Sequence, residues 1–204
     1  MLHRNEAGDN DDGDDGDDDS RRAAMKGMIF TEFLELVERT HSAELAETLL
    51  ANADLPSGGI YTSVGNYDHR EMVTLVVALS RQTRQPVDEV LHWFGKNLFV
   101  TLSTGYPGFF ADKDNAFSVL VGIDSVIHTE VRKLYPDAEL PSFDVMQQSR
   151  DELVLDYRSP RCMDDLAHGM IDACIAHFDE PLTLARQPLG KTQADGTRFT
   201  LTRA

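Results

Sequence analysis

Apolar positions recur three and four residues apart through the first two-thirds of this 204-residue chain, then alternate with polar ones near its end. From Met25 onward Phe30, Phe33, Leu34 and Val37 share a helical face, and Leu45, Leu49 and Leu50 predict a second, shorter helix. "DLPSGG" reads as a turn. A third helix over Glu71–Gln82 carries Met72, Leu75, Val76 and Leu79. A fourth restarts at Pro86, a residue suited to a first helical turn, and carries Val87, Val90, Leu91, Phe94, Leu98 and Leu102. After the breaker "STGYPGFF", one long helix is predicted from about Ala116 to Leu134, its stripe running through Phe117, Leu120, Val121, Asp124, Ile127, His128, Val131 and Leu134.

The period then changes. In "ELVLDYR", Leu153, Leu155 and Tyr157 point one way and Val154, Asp156 and Arg158 the other. "SFDVMQQS" can pair with it as a hairpin around Ser149 and Arg150. A helix follows with Met163, Leu166, Ala167, Met170, Ile171, Cys174 and Phe178 on its stripe, and "TRFTLTR" alternates again after an "ADG" turn signal. The expected fold class is α+β: helical first two-thirds, then a small antiparallel sheet with an inserted helix. No internal repeat is visible.

Charge changes the picture at the amino terminus. Of the net −16, residues 1–20 carry −8, from nine acids against Arg4. That Asp/Gly stretch cannot bury enough apolar surface to fold, so residues 1–24 are expected to be a disordered acidic tail, or an artefact of a start ahead of Met25, and residues 25–204 a single domain. "DDGDDGDDD" lacks the spacing and closing glutamate of a calcium loop. An acidic surface repels phosphate backbones, which argues against nucleic acid. Cys162 and Cys174 form neither a disulfide framework nor a CxxC pair, and no run suits a membrane span, so a cytoplasmic protein is expected.

The candidate chemistry starts at His128. Among seven histidines it alone falls centrally on an apolar stripe. His92 and His168 fall off theirs, His92 toward water; His177 is borderline; His41 and His69 lie near helix ends or in loops; His3 is in the tail. Two readings stand open. His128 is a core residue partnered by Asp124 one turn earlier, or it is a ligand. No zinc-like set surrounds it, and a lone imidazole in an apolar wall suits haem iron. "YRSPR" adds Tyr157, Ser159 and Arg161 on alternate positions, two hydroxyls and a guanidinium able to hold an anion such as a propionate.

Together these residues resemble the haem-nitric oxide/oxygen binding (H-NOX) family, the sensor domain also found in soluble guanylate cyclase. The resemblance covers nearly all of the chain from Met25. It rests on "MKGMIFTEF", on "GIDSVIHTEVRKLYPDAELPSF", and on "YRSPR" as the family's YxSxR motif. It implies that His128 is the proximal iron ligand, that Tyr157, Ser159 and Arg161 hold the propionates, that Pro141 presses on the porphyrin, and that Ile29 packs on the distal side of a haem pocket. The absence of CxxCH implies non-covalent haem b.

Oxygen-binding members resemble one another in a distal tyrosine five residues beyond the motif arginine; here that position is Leu166. Phe33 and Leu98 fall where those members carry tryptophan and asparagine. Such a pocket lacks the donor that bound O2 needs, so NO and CO are the expected ligands. It also lacks an acid/base for peroxidase chemistry, and His128 has a better claim to the iron than Cys162, so no enzyme is expected. "KTQADGTRFTL" has no Cys or His, so the carboxy-terminal zinc site of some relatives is not expected. The resemblance implies signalling in trans, to a histidine kinase or a diguanylate cyclase or phosphodiesterase, when NO weakens the iron–histidine bond. A haem-free interaction module, a haem carrier or redox enzyme, and an O2- or redox-responsive haem protein are the rivals.

Overall fold

The computed structural model describes residues 24–192 and 195–204. The acidic tail expected over residues 1–24 therefore lies outside the described residues except for Ala24, which is not tail: it pairs with Asp68. The elements run β1 (Ala24–Lys26), α1 (Gly27–Thr40), α2 (Ala43–Asn52), β2 (Asn66–Asp68), α3 (His69–Thr83), α4 (Val87–Gly105), a 3₁₀ turn (Pro107–Phe109), α5 (Ala116–Val121), a π-helical segment (Ile123–Ile127), α6 (His128–Leu134), β3 (Ser142–Gln148), β4 (Glu152–Arg158), α7 (Asp164–His177), β5 (Leu182–Pro188) and β6 (Thr197–Arg203). The α+β class and its order, helices first and sheet last, are as expected.

Side-chain oxygens start several helices. Ser42 accepts from Leu45 N at 3.2 Å, Asp68 from Arg70 N at 2.8 Å, and Asn115 and Ser118 form a reciprocal capping box on α5. The sheet is antiparallel in the order β3-β4-β6-β5. The hairpin β3–β4 turns at Ser149, whose N–H donates to Glu152 O, with a bulge between Val145 and Gln147. Leu153, Leu155 and Tyr157 enter the core as their alternation requires, while Asp156 on the other face is covered by a bidentate pair with Arg198 at 2.6 and 2.9 Å. Strand β5 and the short pair β1–β2 have no counterpart in the periodicity reading. Met25 belongs to β1 rather than to the first helix. The "ADG" turn begins at residue 194, which lies outside the described residues.

The apolar interior divides in two. One core gathers α1, α2, α3 and the front of α4 with Met163; the other gathers Phe99, α5, β4, β6 and most of α7. Met170 packs against both. The seam is the crossing of α4 and α7, and two glycines set its depth. A Cβ at Gly95 would lie 2.1 Å from Leu166 O, and one at Gly169 would lie 2.0 Å from His92 O. The backbones touch, so neither position has room for a methyl group.

The long helix expected over 116–134 is interrupted. Ile127 N donates to Gly122 O at 3.1 Å and His128 N donates to Ile123 O, bonds that span five residues rather than four. One inserted residue turns the helix by about 100°. The face that is buried at Phe117 and Leu120 is therefore not continued, and Leu134, expected on the stripe, is 62% exposed.

Gly169→Ala tests the crossing. Alanine gains up to about 1 kcal/mol in helix propensity, but overpacking against backbone costs roughly 1–3 kcal/mol. The urea midpoint should fall with an unchanged slope; a midpoint at or above wild type would mean the helices have slack.

Candidate functional site

The π-helical segment delivers His128 to the first position of α6, with its side chain 12% exposed. Nδ1 lies 2.6 Å from Asp124 Oδ1, and Asp124 Oδ2 accepts from Phe143 N at 2.7 Å. The carboxylate thus orients the imidazole and anchors the start of β3. It selects the tautomer with the proton on Nδ1, leaving the Nε2 lone pair for a metal. Burial pulls the His128 pKa below its ordinary value, against the opposing pull of Asp124, so the ring is neutral at neutral pH. Asp124 is the partner that the core-residue reading named; its second bond, to Phe143, is not visible in spacing alone.

Aromatic contacts lead from His128 to the YxSxR segment. The rings of His128 and Phe143 are 6.2 Å apart, and those of Phe143 and Tyr157 are 5.1 Å apart. Phe143 and Tyr157 are also register partners across β3–β4. Tyr157 is 4% exposed, and burial pushes its hydroxyl up to about 12, offset by a hydrogen bond with Ser159. Ser159 is buried and accepts from Arg161 N at 3.2 Å. Cys162 then takes a left-handed backbone, φ 50°, as the chain turns toward α7.

Arg161 ties three distant segments together. Its guanidinium donates to Ala24 O at 3.2 Å in β1 and to Glu139 O in the loop that contains Pro141. Beside it Lys26 pairs with Asp137 at 2.8 Å, and Asn66 donates to the same carboxylate. Among the described residues no carboxylate reaches the Arg161 guanidinium at ion-pair distance. Burial draws its pKa down, while Tyr157 and Glu139 oppose that shift. A half-buried guanidinium bonded to carbonyls is a donor set suited to an anionic group, and fits a carboxylate better than it fits a metal.

Ile29, Phe33, Leu98 and Leu166 belong to or pack against the first core, with Phe33 edge-on to Phe94 at 5.1 Å. His128's neighbours Ile123, Ile127, Phe143 and Tyr157 belong to or pack against the second. The expected distal and proximal residues thus fall on opposite sides of the division. Pro141 is half-buried in the loop held by Arg161.

A sequence model described as Haem-NO-binding matches residues 26–186. The chain belongs to that family. Its fold matches the ferrous unliganded H-NOX protein of K. algicida with a TM-score of 0.82 at 34% identity, covering 88% of this chain and 97% of that one. The H-NOX of Shewanella woodyi, in the Fe(II)CO state, is 43% identical over 88% of this chain and 95% of its own, with a TM-score of 0.76. The H-NOX of S. oneidensis, in the Fe(II)NO state, is 26% identical over 87% and 98%, with a TM-score of 0.79. Among curated proteins, none matches this chain. As an H-NOX protein it is a haem-based gas-sensing module rather than an enzyme. Among the described residues no helix is long and apolar enough to cross a membrane.

One feature of this H-NOX chain contradicts its periodicity. His92, expected to face water, is half-buried: its Nε2 lies 2.7 Å from Asp172 Oδ2, and its ring is 4.8 Å from that of His168. Each lies off the apolar stripe of its own helix, but the glycine crossing turns both off-stripe faces toward each other. His41 caps the end of α1 and His69 begins α3, as expected; His177 is exposed at the end of α7.

Tyr157 gives a pH test. Its folded pKa, about 12, exceeds the ordinary 10, so the folded state holds the proton more tightly. This contribution is fully present below pH 10 and is lost as pH rises toward 12. Burial raises Tyr61 in the same direction. Urea unfolding across that window should show falling stability in wild type and a shallower fall in Tyr157→Phe; parallel curves would place Tyr157 in contact with solvent.

Proposed function

We propose that this H-NOX protein senses nitric oxide at non-covalent haem b and signals to a separate protein. Haem b supplies a ferrous iron that takes diatomic ligands. His128 is the proximal ligand through Nε2, Tyr157, Ser159 and Arg161 receive the propionates, and Pro141 bears on the porphyrin from the loop that Arg161 fixes. One observation carries the choice of NO: Ile29, Phe33, Leu98 and Leu166 offer no hydrogen-bond donor and sit in or against an apolar core. Bound O2 draws negative charge and needs such a donor; NO and CO do not. The S. oneidensis relative in the Fe(II)NO state and the S. woodyi relative in the Fe(II)CO state support this reading.

The chain reads ligand arrival through the position of His128. Asp124 links that imidazole to the first residues of β3, so a change in the pull on His128 reaches the sheet through two hydrogen bonds. Two positions of that unit give two partner surfaces, as coupling requires. The partner is a cytoplasmic histidine kinase, or a diguanylate cyclase or phosphodiesterase.

The reduced, haem-loaded protein should show a five-coordinate histidine-type Soret band that moves with NO and stays put in air. A long-lived oxy complex would refute NO selectivity, and a protein that folds without taking haem would return His128 to a purely structural role. Leu166→Tyr, which restores a distal donor, should form an oxy complex in air. For the partner, the NO-bound and unliganded forms should change autophosphorylation of the kinase that co-purifies with the protein by severalfold; equal activity with both forms would exclude that output.

A further inference from the structure

We propose that His92, His168 and Asp172 form a second metal site, separate from haem, that binds a divalent transition cation such as Zn2+ and fastens α4 to α7. The donor atoms are in place. His92 Nε2 lies 2.7 Å and His168 Nε2 3.8 Å from Asp172 Oδ2, and all three ligand atoms fall within 4.8 Å of one another. Zinc–ligand distances of about 2.0 Å put neighbouring donors of a tetrahedral site roughly 3.3 Å apart, between the two separations observed. Two imidazoles and one carboxylate suit zinc and its first-row neighbours better than magnesium or calcium.

The scaffold that holds these donors is rigid. His168 and Asp172 are one turn apart on α7, and His92 faces them from α4 across the backbone contact made by Gly95 and Gly169. A site on two helices locked at van der Waals distance needs little reorganisation to accept a cation.

The surroundings also favour a cation. The histidines line a cleft of about 600 Å³ that His41, Asp88 and Glu89 also border, which gives access and further oxygen or nitrogen donors. Arg186, the opposing charge, is paired with Asp165 and lies 3.9 Å from Asp164. Binding a metal here exchanges the His92–Asp172 hydrogen bond for two coordination bonds, with the single proton of the neutral imidazole carried on Nδ1 instead of Nε2. The same helices carry Leu98 and Leu166, so an occupied site would brace the distal wall; that consequence rests on the proposed function, whereas the site does not.

The test uses the full-length, haem-loaded protein, stripped with chelator, given Zn2+ and desalted. Wild type should retain one equivalent of zinc, and His168→Gln and Asp172→Asn at least tenfold less, with Soret spectra like wild type. Weak binding by the acidic amino-terminal stretch is common to all three proteins and cancels. No retained zinc in wild type, or equal zinc in wild type and variants, would overturn the proposal. Amide exchange in wild type gives a second reading that needs no variant. Zinc should slow exchange around residues 92–96 and 166–172, and unchanged exchange there would also overturn the site. Zinc retention is read independently of gas binding, so failure here and failure of NO sensing are distinguishable.

Discussion

The geometry of the site depends on one carboxylate. Asp124 spends one oxygen on the His128 imidazole and the other on the backbone N–H of Phe143. Hydrogen bonds to a charged group are worth roughly 1.5–3 kcal/mol each in net stability, so neither end is released cheaply. The π-helical turn makes both bonds possible: it places Asp124 inside the wide turn and His128 just after it, at the start of a new helix. The imidazole is therefore held from behind, in one tautomer, by a residue that also sets where β3 begins. A histidine held that way cannot move without its sheet anchor.

A second constraint operates on the polar side. Segments more than a hundred residues apart meet at Arg161 and Asp137: Ala24 and Lys26 from β1, Asn66 from β2, and Asp137 and Glu139 from the loop after α6. Desolvating a guanidinium is costly, and two carbonyls offset that cost only in part. An arriving carboxylate would supply the missing charge. The stretches on which the family resemblance rests are thus brought into contact by the fold, and the cluster that ties the sheet to the amino terminus is the same one that can take an anionic group.

Much of this was legible in the sequence, and the failures have physical causes. Five helices, the β3–β4 hairpin and the inward set Leu153, Leu155 and Tyr157 follow from periodicity, because burial on one face dictates it. The break at Gly122–His128 does not: a slip of one residue is invisible in a stripe sampled over three turns, and Asp124 and His128 keep their spacing of four on either reading. Strand β5 leaves no clear pattern because it is an edge strand with little buried surface, Leu182 and Leu184 being only partly covered. The role of Phe143 comes from its backbone N–H, which no residue pattern encodes. The pattern of its own helix places His92 toward water, because that helix offers it no apolar neighbours. What covers it is the partner helix, admitted by Gly95 and Gly169, and the depth of a crossing is set by pairs of positions far apart in sequence.

The division of the interior into two cores gives the fold its functional logic. Phe33, Leu98 and Leu166 lie in or against a core built of α1 to α4, well separated in connectivity from the unit of π turn, α6 and β3 that holds His128. α4 and α7 are the elements that run through both, with Met170 touching each side. A closely packed interior transmits displacement rather than absorbing it. The unit that holds His128 packs Ile123, Ile127 and Phe143 against the second core and adds a hydrogen bond and ring contacts, while its outer face is exposed at Leu134. The unit that holds His128 is thus open to solvent on one side, whereas the helices that carry Leu98 and Leu166 are clamped at the glycine crossing. Under the proposed role of His128, a change in the pull on it would move α6 and β3 against the helices clamped at the glycine crossing.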